Sequence, residues 1–144
     1  LYFSVISKLR IIPLPVMIKV IMTKIAVVED DRIIGQMYRI KFESENFDVK
    51  LASNGKDGVA LVKAFKPDIL LLDLAMPIMD GAEALREIRK DEKFKDLPVI
   101  ILTNTGKEEA PKDIDELNPK AYIVKAELTP RQVLAKVKET LGLA

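Results

Sequence analysis

The chain has 144 residues, with 23 basic and 22 acidic side chains, no cysteine and no histidine. This length fits one domain, and the near balance of charge gives no argument for bulk attraction to nucleic acid. The absence of cysteine excludes disulfides and thiol nucleophiles, and the absence of histidine excludes a Ser-His triad and a phosphohistidine within the chain. Any histidine phosphodonor must therefore belong to another molecule.

Residues 1–22 are rich in Ile, Val and Leu, but basic residues and prolines interrupt them. We expect no membrane span and no signal peptide here, because both need an unbroken apolar run. We interpret 1–22 as an N-terminal extension, and favour an upstream extension or a leader over an extra edge strand, a dimer contact or a membrane-surface anchor. The predicted domain comprises residues 23–144.

From Thr23 onwards the sequence alternates five times between a short apolar run and an amphipathic segment. Three runs are apolar at every position, which is typical of strands buried on both faces of a parallel sheet. These runs are Ile25–Val28, Ile69–Leu72 and Val99–Leu102. Residues 47–51 instead alternate apolar with polar side chains, as in a half-exposed edge strand, and residues 121–124 form the last run.

Apolar residues at helical spacing predict a helix after each run. The predicted helices are Arg32–Glu43, a second opening at Asn54-Gly55, a third opening at Gly81, a short fourth beginning near Ala110 and including Ile114 and Leu117, and a last one capped by Thr129. In the first helix the pattern consists of Ile33, Ile34, Met37 and Ile40. Three methionines, Met37, Met76 and Met79, are interpreted as packing residues.

Strands that alternate with helices indicate an α/β fold with a parallel sheet covered on both faces. We predict a doubly wound, five-stranded parallel sheet, flavodoxin-like (βα)5, in the strand order 2-1-3-4-5. This order puts the alternating strand at an edge and brings the carboxyl ends of the central strands together at a switch point.

Polar side chains follow four of the apolar runs and would meet at that edge of the sheet. They are Glu29 and Asp30 after the first run, Asp73 after the third, Thr103 after the fourth and Lys125 after the last. Clustered carboxylates repel one another unless a cation neutralises them, and a hard divalent ion suits oxygen ligands. We therefore predict bound Mg²⁺, with Mn²⁺ as an alternative. Asp73 is the best candidate for a nucleophile that attacks a phosphoryl group.

The same blocks resemble the signature of the response regulator receiver domain of two-component signalling, from about Thr23 to Leu141. The blocks are Val27-Val28-Glu29-Asp30-Asp31, Asp73-Leu74-Ala75-Met76-Pro77-Ile78-Met79-Asp80-Gly81, Pro98-Val99-Ile100-Ile101-Leu102-Thr103 and Tyr122-Ile123-Val124-Lys125. The resemblance implies that Asp73 is the phosphorylation site. It implies that the metal ligands are Glu29, Asp30, Asp73 and the backbone carbonyl of Ala75. It also implies that Lys125 pairs with Asp73 and that Thr103 and Tyr122 form the switch.

By this resemblance the chain is a single-domain response regulator that a sensor histidine kinase or a phosphotransfer protein phosphorylates. It would be a signalling switch and not an enzyme, since it catalyses only its own phosphorylation and dephosphorylation. We expect a cytoplasmic monomer or weak homodimer that signals to a protein target through the face of the fourth helix, fifth strand and fifth helix. No direct contact with nucleic acid and no membrane span are expected. The alternatives are the receiver portion of a longer regulator, such as a transcription factor or hybrid kinase, and a receiver-like scaffold that is never phosphorylated.

Two other classes fit the sequence less well. A flavodoxin-like binding module would present hydroxyl and glycine groups after the first strand to hold a phosphate, where this chain has Glu29-Asp30-Asp31. A haloacid-dehalogenase-type phosphatase would need a second Asp at the position of Ala75. Three residues also depart from the receiver pattern. They are Asn104 in place of a small residue, Ala126 in place of proline, and Pro111 within the fourth helix.

Overall fold

The computed structural model describes residues 9–14 and 17–143. The strands are β1 (Leu9–Leu14), β2 (Met17–Met22), β3 (Lys24–Val28), β4 (Asp48–Ala52), β5 (Ile69–Asp73), β6 (Val99–Thr103) and β7 (Ala121–Val124). The α-helices are α1 (Arg32–Ser44), α2 (Gly55–Phe65), α3 (Gly81–Lys90) and α4 (Pro130–Leu141). Three short 3-10 helices lie at Glu92–Phe94, Lys107–Glu109 and Ile114–Leu117.

Strands β3 to β7 form one parallel sheet in the order β4-β3-β5-β6-β7. Counted from β3, this is the predicted order 2-1-3-4-5, so the fold class is confirmed. Strands β5 and β6 are buried at every position because helices cover both faces of the sheet, which accounts for their unbroken apolar sequences. The alternating strand, β4, is at the edge, as its pattern requires.

The core has two layers, one on each side of the sheet. On one side α2 and α3 pack on side chains that include Val28, Leu72 and Ile101. On the other side α1 and α4 pack on side chains that include Val27, Leu71 and Leu102. Adjacent strand residues thus enter opposite layers, and the strand ends are fixed by burial of the sheet on both faces.

The first helix buries only part of the predicted pattern, because Ile34 packs against the core and the other three residues do not. Ile33, Met37 and Ile40 are 74%, 48% and 69% exposed, so the prediction that Met37 is a packing residue was wrong. Tyr38 and Phe42 are buried in their place, with their rings stacked 5.8 Å apart. The two aromatic residues lie on a neighbouring stripe of the same helix and remove more apolar area from water, which explains which face turned inward. Met76 and Met79 do pack against the core.

The predicted fourth helix is not an α-helix. The segment after β6 contains only the 3-10 helices Lys107–Glu109 and Ile114–Leu117, with Pro111 between them. Proline removes a backbone donor and disfavours a helical conformation in the residue before it, so the chain cannot propagate an α-helix from Lys107 through Ile114. We call residues 104–117 the 104–117 segment.

The N-terminal strands β1 and β2 pair with each other in antiparallel fashion and form a separate two-stranded sheet. Neither strand is part of the five-stranded sheet, so the described part of this region adds no edge strand to it. The division into 1–22 and 23–144 stays a prediction, and residues 1–8, 15 and 16 lie outside the described residues. No helix within the described ranges is long and apolar enough to cross a bilayer.

Candidate functional site

Four of the predicted site residues meet at the carboxyl ends of the strands. Lys125 Nζ donates hydrogen bonds to Glu29 Oε1 at 2.9 Å and to Asp73 Oδ2 at 3.2 Å. Glu29, Asp30 and Asp73 each place a carboxylate oxygen within 4.8 Å of the other two. The resemblance predicted that Lys125 pairs with Asp73. The shorter contact between Lys125 and Glu29 was not predicted and appears only in the structure.

Each of these side chains lies at or directly after the carboxyl end of a strand of the sheet. Asp73 ends β5 and is 1% exposed, and Glu29 follows β3 and is 3% exposed. The pairing of β3 with β5 brings Val28 beside Leu72, so the two carboxylates follow neighbouring strand ends. The backbone N–H of Lys125 donates to the carbonyl of Thr103, which fixes the lysine beside β6. No peptide bond among the described residues is cis. The bond between Lys125 and Ala126 is therefore trans, and the Lys125 side chain contacts both acids with this backbone conformation.

Burial and neighbouring negative charge favour the protonated form of Asp73 in the cluster. Burial raises the pKa of Asp73 to about 8, and the hydrogen bond and negative charge of Glu29 raise it as well. Burial also raises the pKa of the more exposed Asp30, but interactions with Glu29, Asp73 and Lys125 outweigh it and hold that pKa below its ordinary value. Burial opposes the charge of Lys125, but the two acids outweigh it and keep its pKa raised.

One oxygen of the cluster lacks a partner. Asp73 Oδ1 is buried and accepts no hydrogen bond from any described residue. A buried carboxylate oxygen without a partner carries a desolvation cost of about 1–3 kcal/mol, which a cation ligand would remove. The donor set around it consists of hard carboxylate oxygens, so the residues present fit a divalent ion such as Mg²⁺.

The loop after Asp73 forms one wall of an open cavity of about 460 Å³, whose lining includes Asp30, Ala75, Pro77 and Glu109. The N–H of Gly81 donates to the carbonyl of Leu74 at 2.8 Å, which folds the loop back on the end of β5. A Cβ atom on Gly81 would overlap the carbonyl oxygen of Asp73, so glycine is required there. The exposed Ala75 lies on this wall, where the resemblance places a carbonyl ligand.

Thr103 and Tyr122 lie on β6 and β7, on the side of β5 away from β3, and have separate partners. Thr103 is buried at the end of β6, and its Oγ1 accepts a hydrogen bond from the N–H of Gly106 at 2.7 Å. The Tyr122 hydroxyl donates to Asp115 Oδ1 at 2.9 Å, and Lys107 Nζ lies 5.6 Å from the centre of the Tyr122 ring. Burial and Asp115 raise the pKa of Tyr122 to about 12. The tyrosine is therefore tied to the 104–117 segment.

Sequence reasoning missed two acids of the 104–117 segment. Glu109 accepts hydrogen bonds from the backbone N–H groups of Asn104 and Thr105, and Asp115 holds Tyr122. Nothing in the local sequence separates Glu109 from its neighbour Glu108, because only the 3-10 turn decides which carboxylate faces back toward β6.

Comparison with known proteins identifies the family. The family model described as "Response regulator receiver domain" matches residues 25–138. The transcriptional regulatory protein ResD of Bacillus subtilis is 39% identical over 122 residues, which are 85% of this chain and 49% of ResD. The DNA-binding dual master transcriptional regulator RpaA of Synechocystis is 36% identical over 85 residues, which are 59% of this chain and 35% of RpaA. The chain thus spans half or less of the length of these two curated relatives.

Solved structures give the same fold. The chain is similar to a structure of the CheX-CheY-BeF3-Mg²⁺ complex of Borrelia burgdorferi, with 31% identity and a TM-score of 0.74 over 84% of this chain and 90% of that one. It is also similar to the chemotaxis response regulator CheY4 of Vibrio cholerae, with 24% identity and a TM-score of 0.75 over 83% of this chain and 99% of that one. The second likeness concerns the fold alone.

Proposed function

Since this chain belongs to the response regulator receiver domain family, we propose that it accepts a phosphoryl group on Asp73 and works as a phosphorylation switch. The observation that carries the proposal is the buried Asp73 carboxylate, paired with Lys125 through one oxygen and without a partner at the other. In the proposed reaction this second oxygen is available to bind the metal ion or to attack phosphorus. In this role the chain accepts a phosphoryl group and signals its presence, and it catalyses only its own phosphorylation and dephosphorylation.

In the proposed reaction a carboxylate oxygen of Asp73 attacks the phosphorus of the donor. A P–O bond to Asp73 forms while the P–N bond to a donor histidine, or the P–O bond of a small acyl phosphate, breaks. The electron pair of the broken bond stays with the leaving group. Lys125 already holds Asp73 Oδ2 at 3.2 Å and would pair with the phosphoryl oxygens afterwards. Thr103 would exchange its bond with Gly106 for one with the phosphoryl group.

We propose that Glu29, Asp30, Asp73 and the Ala75 carbonyl hold Mg²⁺, with Mn²⁺ as an alternative. The ion would neutralise the negative charge that gathers when a phosphoryl group meets three carboxylates. The similar CheX-CheY complex of Borrelia contains Mg²⁺ and beryllium fluoride, which is consistent with such a site in a relative. The double variant Glu29→Gln with Asp30→Asn should lose the Mg²⁺ dependence of thermal unfolding while keeping the fold. Unchanged Mg²⁺ dependence would contradict this assignment.

The direct test of the function is phosphoryl transfer from acetyl phosphate with Mg²⁺, followed by intact-mass measurement. We expect one added phosphoryl group on the unsubstituted chain and none on Asp73→Asn, which keeps the size of the side chain but removes the nucleophile. Asp80→Asn is the matched control, because Asp80 caps α3 seven residues further along the same loop. Equal labelling of the unsubstituted chain and Asp73→Asn would place the site elsewhere.

The phosphoryl donor in the cell would be a sensor histidine kinase or a phosphotransfer protein, since the chain itself has no histidine. We propose a cytoplasmic location and a protein target downstream. A second candidate is supported by the relatives: the chain matches half or less of ResD and RpaA, which are named as transcription regulators. It would then be the receiver portion of a longer regulator, and the same labelling experiment applies to its Asp73.

A further inference from the structure

Glu109 makes an unusual set of contacts for a surface acid. Its Oε2 atom accepts hydrogen bonds from the backbone N–H of Asn104 at 2.8 Å and of Thr105 at 3.2 Å. The Thr105 hydroxyl lies 3.5 Å from the same oxygen. Adjacent N–H groups that converge on one oxygen form a small anion-binding site, and here a side chain of the same protein occupies it.

These two N–H groups lie beside the Asp73 pocket. Asn104 directly follows Thr103, the last residue of β6, and Leu102 of β6 pairs with Asp73 of β5. Glu109 itself lines the cavity that also includes Asp30 and Ala75. The carboxylate that occupies the anion site therefore borders the same cavity as Asp30 and Ala75, two of the proposed metal ligands.

The charge of Glu109 adds to that of the pocket. Glu29, Asp30 and Asp73 already supply three carboxyl groups, and the nearest cation, Lys125, is engaged with two of them. In the described part of the chain no lysine or arginine pairs with Glu109. Its carboxylate is stabilised instead by the backbone N–H groups of Asn104 and Thr105. An incoming phosphodonor therefore meets one more negative group than the acidic cluster alone presents.

The turn that carries Glu109 is easily rearranged. Lys107–Glu109 is a three-residue 3-10 helix between Gly106, with φ of +118°, and Pro111. Its hydrogen bonds close over three residues, from Gly106 to Glu109 and from Lys107 to Ala110. Such a short turn can shift without disturbing the buried strands, because it is not part of the sheet and contributes no fully buried side chain.

We propose that Glu109 is a built-in anion that holds the backbone N–H groups of Asn104 and Thr105 in the resting protein and leaves them when Asp73 is phosphorylated. This inference rests on the proposed function and adds a regulatory element to it. The carboxylate slows phosphorylation by repulsion and by holding the 104–117 segment in its resting form. Once it is released, the two N–H groups are free to bind phosphoryl oxygens.

The test compares Glu109→Ala and Glu109→Gln with Glu108→Ala, which removes the same charge from the neighbouring residue of the same turn. Acetyl phosphate with Mg²⁺ should label Glu109→Ala roughly two- to fivefold faster than the unsubstituted chain, the effect of one like charge near a partly solvated site. Glu109→Gln should show most of this gain, and Glu108→Ala should stay near the unsubstituted rate. In resting Glu109→Ala, the amide protons of Asn104 and Thr105 should exchange with solvent faster than in Glu108→Ala.

Equal labelling rates for Glu109→Ala and the unsubstituted chain would overturn the proposal, as would equal acceleration by Glu108→Ala. Unchanged exchange at Asn104 and Thr105 would overturn the contact itself. If the unsubstituted chain takes up no phosphoryl group at Asp73, the proposed function fails and this inference fails with it. That result is distinguishable from a labelled chain on which Glu109 has no effect.

Discussion

Two regions border the Asp73 pocket, and they are held in place by different forces. Glu29 and Asp73 lie at the ends of the buried strands β3 and β5, and Lys125 follows the edge strand β7, so their positions are set by the packing of the sheet between two helical layers. The 104–117 segment is anchored in the core by Ile114, but most of its side chains are exposed and several of them form ion pairs. Lys107 pairs with Asp115, and Arg86 pairs with Asp113. Exposed ion pairs are individually weak, whereas a buried strand end moves only if the core is disrupted.

This difference suits a switch. In the proposed function the acidic cluster has to keep its geometry for phosphoryl transfer, because small displacements of reacting groups are costly. The 104–117 segment would instead respond, and a segment with few buried side chains can change its shape at low cost. Tyr122 joins the two regions, since it belongs to β7 but its hydroxyl is bound by Asp115.

The largest contrast should appear when an alanine is placed at a glycine of each region. Gly81→Ala puts a Cβ atom into the carbonyl of Asp73 and should lower the free energy of unfolding by about 3 kcal/mol. Gly106→Ala, unlike Gly81→Ala, meets a positive φ of +118°, but the nearest neighbour of its Cβ atom is the flexible side chain of Glu108, and we expect a loss of about 1 kcal/mol. Urea denaturation measures both, and equal losses would contradict the comparison.

The next effect concerns the protonation of the buried region. The pKa of Asp73 is about 8 in the folded chain and 3.8 ordinarily, so between these values the folded state binds more protons than the unfolded state. Its contribution to stability is therefore present at low pH and is lost as pH rises from about 4 to about 8. Asp73→Asn removes this dependence and should be more stable than the unsubstituted chain at pH 8 without Mg²⁺, by a margin that shrinks as the pH is lowered.

Denaturation in urea at pH 5.5 and pH 8 checks this prediction (roughly the middle and the end of the titration range). Glu45 does not interfere, because Lys138 and Lys41 lower its pKa to about 2 and its contribution changes only in acid. Asp80→Asn should retain the pH dependence of the unsubstituted chain. A stability difference between Asp73→Asn and the unsubstituted chain that does not vary with pH would show that desolvation of Asp73 has been misjudged.

A smaller effect is expected on the lifetime of the phosphorylated state. Asn104 follows Thr103, the proposed switch residue, and is larger than the residue usual in the family, so we expect its side chain to narrow the path by which water attacks the phosphorus. Asn104→Ala should lose its phosphoryl group about tenfold faster, which corresponds to about 1.4 kcal/mol of barrier. The measurement is loss of the phosphoryl mass after the donor is removed, with Glu108→Ala as a control. A longer lifetime in Asn104→Ala would rule out this role.

The smallest effect should come from the link between Tyr122 and the 104–117 segment. Asp115→Asn keeps a hydrogen-bond acceptor but removes the charge that, together with burial, raises the pKa of Tyr122 to about 12. We expect the pKa of Tyr122 to fall toward its ordinary value of 10 while overall stability is nearly unchanged. Ultraviolet absorbance against pH measures this, with Tyr122→Phe to assign the signal. An unchanged titration would mean that Asp115 does not hold the tyrosine in solution.

The sequence by itself determined the sheet and the cluster at its edge. Three unbroken apolar runs and one alternating run predicted which strands are central and which is at the edge. A strand buried on both faces is apolar at every position, whereas a strand buried on one face alternates apolar with polar residues. It also predicted that Glu29, Asp30, Asp73 and Lys125 meet, since parallel strands bring their carboxyl ends to one side. The chemistry assigned to them, with Ala75, Thr103 and Tyr122, stays a prediction.

Only the tertiary structure decided the features that depend on competition between similar local patterns. In α1 two apolar stripes were available, and the aromatic one with Tyr38 and Phe42 took the core, leaving Ile33 and Met37 exposed. After β6 the sequence was compatible with a helix, but Pro111 and the pairing of surface charges gave two 3-10 turns. That outcome placed Glu109 on the N–H groups of Asn104 and Thr105, a contact set by the direction of a single turn and not by any motif.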